Sequence, residues 1–381
     1  PRLDANRYAG RRSPFGRQGG SLAPMRADDL AAAVIQKLLA DSPFQPEQVE
    51  DVLLGCASQA GEDSRNIARH AALLAGLPVS VPGQTVNRLC GSGLAAVLDA
   101  SRAITVGEGS LYIAGGVESM TRAPFVVGKS ETAYGREFKV FDSSNGARFP
   151  NPRLGLSRVE SDRFAAASQT RYAQALADGF FADEITPIEV PTGRKTPPRI
   201  VSDDEHPRPQ SSFDVLQGLR PLQEGGVVTA GNASGINDGV AALLIGNRAA
   251  GEQAGATPMA RILSGAVAGV EPRVMGLGPA YAIPKALERA GLTLADMDVI
   301  EINEAFAPQV LGCLQLLSLP FDDARVNPNG GAIAIGHPLG ASGARIALSA
   351  ARELKRRNGR YAVVSLCIGV GQGIAVVIER V

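Results

Sequence analysis

The feature that most constrains this chain is that it repeats its own pattern. Gln48–Ser58 reads QVEDVLLGCAS, a short apolar strand after an acidic turn, and Ala295–Ala307 reads ADMDVIEINEAFA, with the same entry, strand and polar cluster. Each is followed by a helix-like stretch and then by a Val-Asn pair, Val86-Asn87 and Val326-Asn327. A Gly-rich turn and an amphipathic helix come next, predicted over about 93–106 and 342–356. Gly-containing turns then lead to the strands LYIAGG at 111–116 and YAVVSLC at 361–367. Alternation alone marks any α/β protein. The matched Val-Asn pairs and Asp-Val strand openings go further, and predict two like halves about a pseudo-twofold axis. Residues at equivalent strand-to-helix junctions would then face one another across the join, where pockets commonly sit.

Between the halves, Thr121 to about Gly226 is rich in Arg, Ser, Pro and Asp, with one long helix predicted near Glu160–Leu176. It carries PTGRKTPPR at 191–199 and SDDEHPRPQSS at 202–212. The segment reads as an excursion over the core bearing substrate contacts, or else as a solvated spacer. Lys plus Arg equals Asp plus Glu at 38 each, so global attraction to nucleic acid or to an anionic membrane is not expected. Twelve Phe, 6 Tyr and no Trp argue against a base-stacking platform. Four Cys, none in a CxxC pair, fit a reduced cytosol better than secretion. The opening PRLDANRYAG has no signal-peptide pattern, and a cytoplasmic protein is expected. Tyr361 to Ile378 is uncharged and close to the ~20 residues of a membrane span, but Gly369, Gly371 and Gly373 divide it. Two buried β-branched strands joined by a tight turn are predicted there instead.

Cys90 lies in Asn87-Arg88-Leu89-Cys90-Gly91-Ser92-Gly93, directly before an Ala-rich helix. The helix N-terminus there would favour a thiolate, and the small neighbours would let a carbonyl reach backbone N–H groups. A buried Cys packed at a tight turn reads equally well. Cys367 ends a strand and is followed by Ile368-Gly369-Val370-Gly371-Gln372-Gly373, small positions that suit a backbone approaching a ligand. Cys313 reads as core. Of three His, His337 stands in a Gly- and Pro-fixed loop entering the second helix, whereas His70 and His206 look ordinary. Asn303, in NEAFA, either caps a helix or holds a water or an oxyanion. The His, Cys and carboxylates form no metal-ligand pattern, so no metal is expected. No intact GxGxxG or Walker A motif occurs, which argues against a nicotinamide enzyme.

NRLCGSG around Cys90, GGVESM at 115–120, TAGNASGINDG at 229–239, NEAFA at 303–307, GGAIAIGHPLGASGAR at 330–345 and CIGVGQG at 367–373 together resemble the thiolases, in the family's order and over nearly the whole chain. Within the family, AGEDSRNIARHAALLAGLPVSVPG at 60–83 and the C-terminal CIGVGQGIA most resemble the β-ketoadipyl-CoA (3-oxoadipyl-CoA) thiolases of bacterial aromatic-compound breakdown. The resemblance implies an α/β fold with a duplicated, five-layered αβαβα core and an inserted loop domain. Its parts would be a first half at 1–120, the inserted domain at 121–226, the return of the first half at 227–257, and a second half at 258–381. It also implies thiolytic cleavage of a 3-oxoacyl-CoA by a ping-pong cycle, with no permanently bound cofactor and coenzyme A as substrate. Cys90 would carry the acyl group, Cys367 would be the general acid/base, and His337 would activate Cys90. His337 and a water on Asn303 would form one oxyanion hole, and the N–H groups of Cys90 and Gly369 a second. Ala230, Ser234, Phe306 and Met275 match positions around the pantetheine, and Arg208 one near the nucleotide end. The partners implied are acyl-CoA and CoA, with neither nucleic acid nor membrane, in a homo-oligomer (dimer or tetramer).

Two departures stand out. The family usually carries roughly twenty more residues after the Asn-Pro at 151–152, bordering the pantetheine channel, and RYAGRRSPFG is slightly longer than the usual opening. An acetoacetyl-CoA thiolase is the nearest alternative. A ketosynthase typically has His where Cys367 stands, and a non-catalytic acyl-CoA- or lipid-binding relative would have lost Cys90 or His337.

Overall fold

In the computed structural model, residues 2–58, 61–144 and 154–381 are described; Asn151 and Pro152, where the shortened segment was expected, lie outside them. The frame is a ten-stranded sheet. Its strands include β1 (Ala5–Arg12), β2 (Asp51–Gly55), β3 (Gly83–Val86), β4 (Leu111–Ser119), β5 (Asn237–Gly246), β6 (Ala260–Gly269), β7 (Val299–Ile302), β8 (Tyr361–Ile368) and β9 (Gln372–Arg380). They run in the order β7-β8-β9-β6-β1-β5-β4-β2-β3, with Gly16–Arg17 pairing beside β5. β2, β3 and β4 pair in parallel, as do β7 and β8, while β4–β5 and β8–β9 are antiparallel. The halves join where β1 and β6 pair antiparallel, Asn6 opposite Arg261. The order is therefore nearly a palindrome about that join, as a duplicated unit requires.

The main helices are α1 (Ala27–Ala40), α2 (Ile67–Leu74), α3 (Ser92–Thr105), α4 (Arg158–Ala177), α5 (Gly278–Ala290), α6 (Ala307–Leu316) and α7 (Leu339–Arg356). Why the strands read as unbroken apolar runs is answered by which core each side chain enters. Leu53 belongs to the central cluster with α3 and α7, and its neighbours Val52 and Leu54 to the cluster under α1 and α2. On β9, Ile374, Val376 and Ile378 face the central cluster, while Ala375 and Val377 face that of α5 and α6. Period-2 alternation sends successive residues to opposite faces, and here both faces are covered. The result is five layers: α1/α2, a half-sheet, α3/α7, a half-sheet, α5/α6.

The uncharged stretch at 361–378 is the hairpin β8–β9, not a helix. Its turn needs Gly371 at φ +100, where a Cβ would lie 2.3 Å from the Val270 carbonyl oxygen. Among the described residues no helix is long and apolar enough to cross a membrane. Among the described residues, the 121–226 stretch holds α4, a short helix at Phe213–Gln217 and two hairpins, Phe125–Val127 with Val140–Asp142 and Ile188–Val190 with Arg199–Val201. It is anchored by Arg12, fully buried, which binds Glu184 at 2.6 Å and Asp204 through two nitrogens at 2.8 and 2.9 Å.

What positions the site is the crossing of α3 and α7. A Cβ on Gly93 would meet the Gly340 carbonyl oxygen at 2.5 Å, and one on Gly343 would meet the Leu94 nitrogen at 2.5 Å. Only glycine lets the two first turns approach this closely. Cys90 stands two residues before α3 and His337 two residues before α7, so the crossing sets the two helix entries that carry them side by side.

Candidate active site

Cys90 sits in a single 3-10 turn, Leu89–Gly91, whose shape is set by its neighbours' side chains. The Leu89 N–H donates to Asn87 Oδ1 at 2.9 Å, the Arg88 N–H to Ser92 Oγ at 2.8 Å, and the Ser92 hydroxyl to the Leu89 carbonyl at 2.6 Å. These bonds hold Leu89 at φ +49, a left-handed conformation that costs a non-glycine residue on the order of 1–2 kcal/mol. The Asn and Ser of this motif are thus the clamps of the strained turn. Cys90 is left half-buried, with the N–H groups of Gly369 and of Cys90 itself directed at its sulfur.

Those donors do not produce a resting thiolate. Burial pushes the Cys90 thiol up to about 11; the Gly369 N–H pulls the other way, and the Glu118 charge adds to the rise. The expectation that the helix terminus would hold a thiolate is therefore corrected: desolvation of the charge outweighs the nearby N–H dipoles. Cys367, 2% exposed at the end of β8, is also pushed well above the usual thiol range, first by burial and then by Cys90 charge. That interaction puts the two sulfurs in one electrostatic environment.

Asn303 ends β7, its N–H donating to the Ser365 carbonyl at 2.9 Å, which sets it beside the strand that carries Cys367. Its Nδ2 lies 3.4 Å from His337 Nδ1. His337 is buried, with Nδ1 2.5 Å from Ser342 Oγ and its backbone N–H donating to Asn237 Oδ1 at 2.9 Å. Burial, then the Arg345 charge, lowers its pKa to about 4, so the imidazole is neutral. Glu304 pins the loop in place by accepting from Ser168 Oγ at 2.6 Å, Asn327 Nδ2 at 2.8 Å and the Ile333 N–H at 3.2 Å. Among the described residues, two buried atoms here, His337 Nε2 and Asn303 Oδ1, have no partner. A buried polar atom without a partner is costly, and at a cleft it points to a ligand or an ordered water.

Ala233 bridges Phe306, and the Ser234 N–H donates to the Ala305 carbonyl at 2.9 Å, so the 229–239 loop lies along the NEAFA segment. Met275, half-buried, lies in the short helix Pro272–Leu277, which packs on α6 through Cys313 Sγ donating to the Gly276 carbonyl at 3.1 Å. Ala230 is on the exposed side of its turn. Arg208 stands exposed, tied by its backbone N–H to Gln169 Oε1 at 3.0 Å. Cys313 is core, as expected. Sequence reasoning missed Ser342, Asn237 and Glu304, though each lies inside a motif already singled out. Among the described residues, no group of three or more His, Cys, Asp or Glu is placed to hold a metal. A surface cavity of about 330 Å³ is lined by Arg26, Asp28, Asp29, His70, Leu73 and Leu74, and by none of the residues above.

Comparison with known proteins matches residues 8–249 to the thiolase N-terminal domain and residues 256–380 to the thiolase C-terminal domain. The chain is 54% identical to the 3-oxoadipyl-CoA/3-oxo-5,6-dehydrosuberyl-CoA thiolase of Escherichia coli K12, covering 98% of each chain. It is 53% identical to a beta-ketoadipyl-CoA thiolase of Acinetobacter baylyi, over 97% of this chain and 98% of the relative. The first alignment runs over 394 positions against 381 residues here, so that relative carries residues this chain lacks. The crystal structure of the Bacillus anthracis acetyl-CoA acetyltransferase superposes with a TM-score of 0.93 at 36% identity, covering 100% of this chain and 99% of that one.

Proposed function

This chain belongs to the thiolase family, and on that premise we propose that it cleaves 3-oxoadipyl-CoA with CoA, giving succinyl-CoA and acetyl-CoA. The observation that supports the reading is the Gly369 N–H directed at the Cys90 sulfur, with the Cys90 charge acting on Cys367 and Asn303 Nδ2 3.4 Å from His337 Nδ1.

His337, neutral at physiological pH, takes the Cys90 proton. The transfer creates opposite charges in a low-dielectric site, where their attraction offsets part of the cost of burying them. The Cys90 sulfur attacks the 3-keto carbon, and the N–H groups of Cys90 and Gly369 hold the resulting oxyanion. Collapse breaks the C2–C3 bond, whose electron pair passes into the enolate of acetyl-CoA. His337 and a water on Asn303 stabilise that enolate oxygen, and Cys367 protonates the carbon. Cys367 then takes the proton of incoming CoA, whose sulfur attacks the succinyl thioester and releases Cys90. Preorganised donors of this kind typically contribute about 2.7–4 kcal/mol each. Ser234, Ala230, Phe306 and Met275 border the pantetheine arm, and Arg208 lies toward the nucleotide. The same reading makes the protein a cytoplasmic homo-oligomer, dimer or tetramer, with CoA as substrate and no permanent cofactor; family membership supports this.

The likeness to the acetyl-CoA acetyltransferase favours acetoacetyl-CoA as the second candidate. Rates on the two substrates separate them. A kcat/KM at least about tenfold higher for 3-oxoadipyl-CoA is expected, that is, about 1.4 kcal/mol of discrimination; a preference for acetoacetyl-CoA reverses the assignment.

A further inference from the structure

The imidazole of His337 has one nitrogen, Nε2, without a partner among the described residues and one bonded to the protein, and the second decides what the first can do. Nδ1 is 2.5 Å from Ser342 Oγ. Ser342, 1% exposed in the first turn of α7, has its Oγ 3.2 Å from the Pro338 carbonyl, a partner that can only accept, so the hydroxyl donates there. With its proton committed there, the serine oxygen offers Nδ1 a lone pair. The other neighbour of Nδ1, the Asn303 amide nitrogen at 3.4 Å, is at the limit of a hydrogen bond. We infer that Ser342 is the positioning residue of this site: by accepting the Nδ1–H it fixes the tautomer in which Nε2 is bare and faces Cys90 as a base. This deepens the thiolase reading and rests on it.

The proton count closes. The ring begins neutral with hydrogen on Nδ1. Taking the Cys90 proton at Nε2 makes an imidazolium whose Nδ1–H stays on Ser342 and whose Nε2–H is free for a substrate oxygen. Without Ser342 the ring's remaining protein neighbour at Nδ1 is the Asn303 amide nitrogen, which can only donate. The hydrogen then moves to Nε2 and the base is lost. The ionisable groups acting on the pair are Arg345, one turn along α7, which itself faces Glu301 and Glu304, and, on the Cys90 side, Glu118 and Cys367.

The pH profile of Cys90 alkylation by iodoacetamide tests this on the full chain. The unmodified enzyme is expected to show a plateau between about 4, below which the ring is protonated, and about 11, above which the thiolate forms unaided. Ser342→Ala should lower the plateau about a hundredfold while leaving the high-pH limb unchanged, and Ser342→Thr should restore it. A loss of packing alone would not separate the two limbs. A plateau within twofold of the unmodified enzyme in Ser342→Ala overturns the inference. So does a ¹⁵N signature of hydrogen on Nε2 of His337 in the unmodified protein, a readout needing no variant at the serine. Acylation of Cys90 by acetoacetyl-CoA, followed by mass, is measured first: its absence defeats the thiolase reading, whereas the alkylation profile and the nitrogen signature judge Ser342 alone.

Discussion

The two halves place different side chains at equivalent points of the same frame. Aligning the Asp-Val openings of β2 and β7 sets Cys56 against Asn303. The parallel pairings of those strands then set Glu118 against Cys367. In the first half this pair is closed. Glu118 accepts from the N–H groups of Ala57 at 3.0 Å and Ser58 at 2.9 Å, and it bonds Cys56 as well. In the second half Cys367 stands where Glu118 does, and the carboxylate lies instead on the other strand's end, at Glu304 beside Asn303; both its oxygens accept hydrogen bonds, while Asn303 Oδ1 and His337 Nε2 have no partner among the described residues. The helix starts differ in the same way, Cys90 at one and His337 at the other. The two halves share one geometry and differ in which polar atoms are left without a partner among the described residues.

Substituting the sulfurs should give the largest effects and separate their roles. Cys90→Ser is expected to lower turnover by at least about a thousandfold and to abolish the acyl-enzyme. Cys367→Ala should slow turnover about 10²–10⁴-fold while Cys90 still takes up an acyl group, measured by mass. Equal loss of acylation in both would erase the distinction. A step smaller, the equivalent positions should split between chemistry and stability. Asn303→Ala should cost about 10²–10³ in kcat. Glu118→Gln should instead lower unfolding stability by about 1–3 kcal/mol in urea titrations, since it weakens a buried, charge-assisted anchor. A kcat loss as large as that of Asn303→Ala would break the comparison.

Acid should act on stability through the buried imidazoles. His337 has its pKa lowered to about 4, so between there and the usual 6.5 the unfolded chain binds more protons than the folded one. Stability is then complete above about 6.5 and falls as pH drops toward 4, by on the order of 3 kcal/mol. His206 is lowered in the same direction, mainly by burial, and adds to the slope. His337→Gln should flatten part of it; an unchanged slope would mean that the imidazole is not buried neutral.

Much of this was legible in the chain. The repeat foretold the palindromic sheet order, and the Gly-divided apolar stretch foretold the β8–β9 hairpin. Cys90, Cys367, His337 and Asn303 were all marked by small residues at strand or helix ends; the structure sets Asn303 against His337 and lets the Cys90 charge act on Cys367. Ser342, Asn237 and Glu304 were not marked. Their work is to hold other side chains, which depends on contacts across 5, 100 and 136 positions for the bonds to His337 and Ser168. The resting state of Cys90 was misjudged because a helix terminus is visible in sequence while the burial that opposes it is not.

By itself the sequence determined the elements, their duplication and the residues able to react, because period, glycine placement and side-chain type are local properties. Only the tertiary structure decided which ionisation states those residues hold and which nitrogen of His337 is left bare. Both depend on what surrounds an atom in three dimensions: how much water is excluded, and whether a donor or an acceptor from a distant part of the chain has already taken its place.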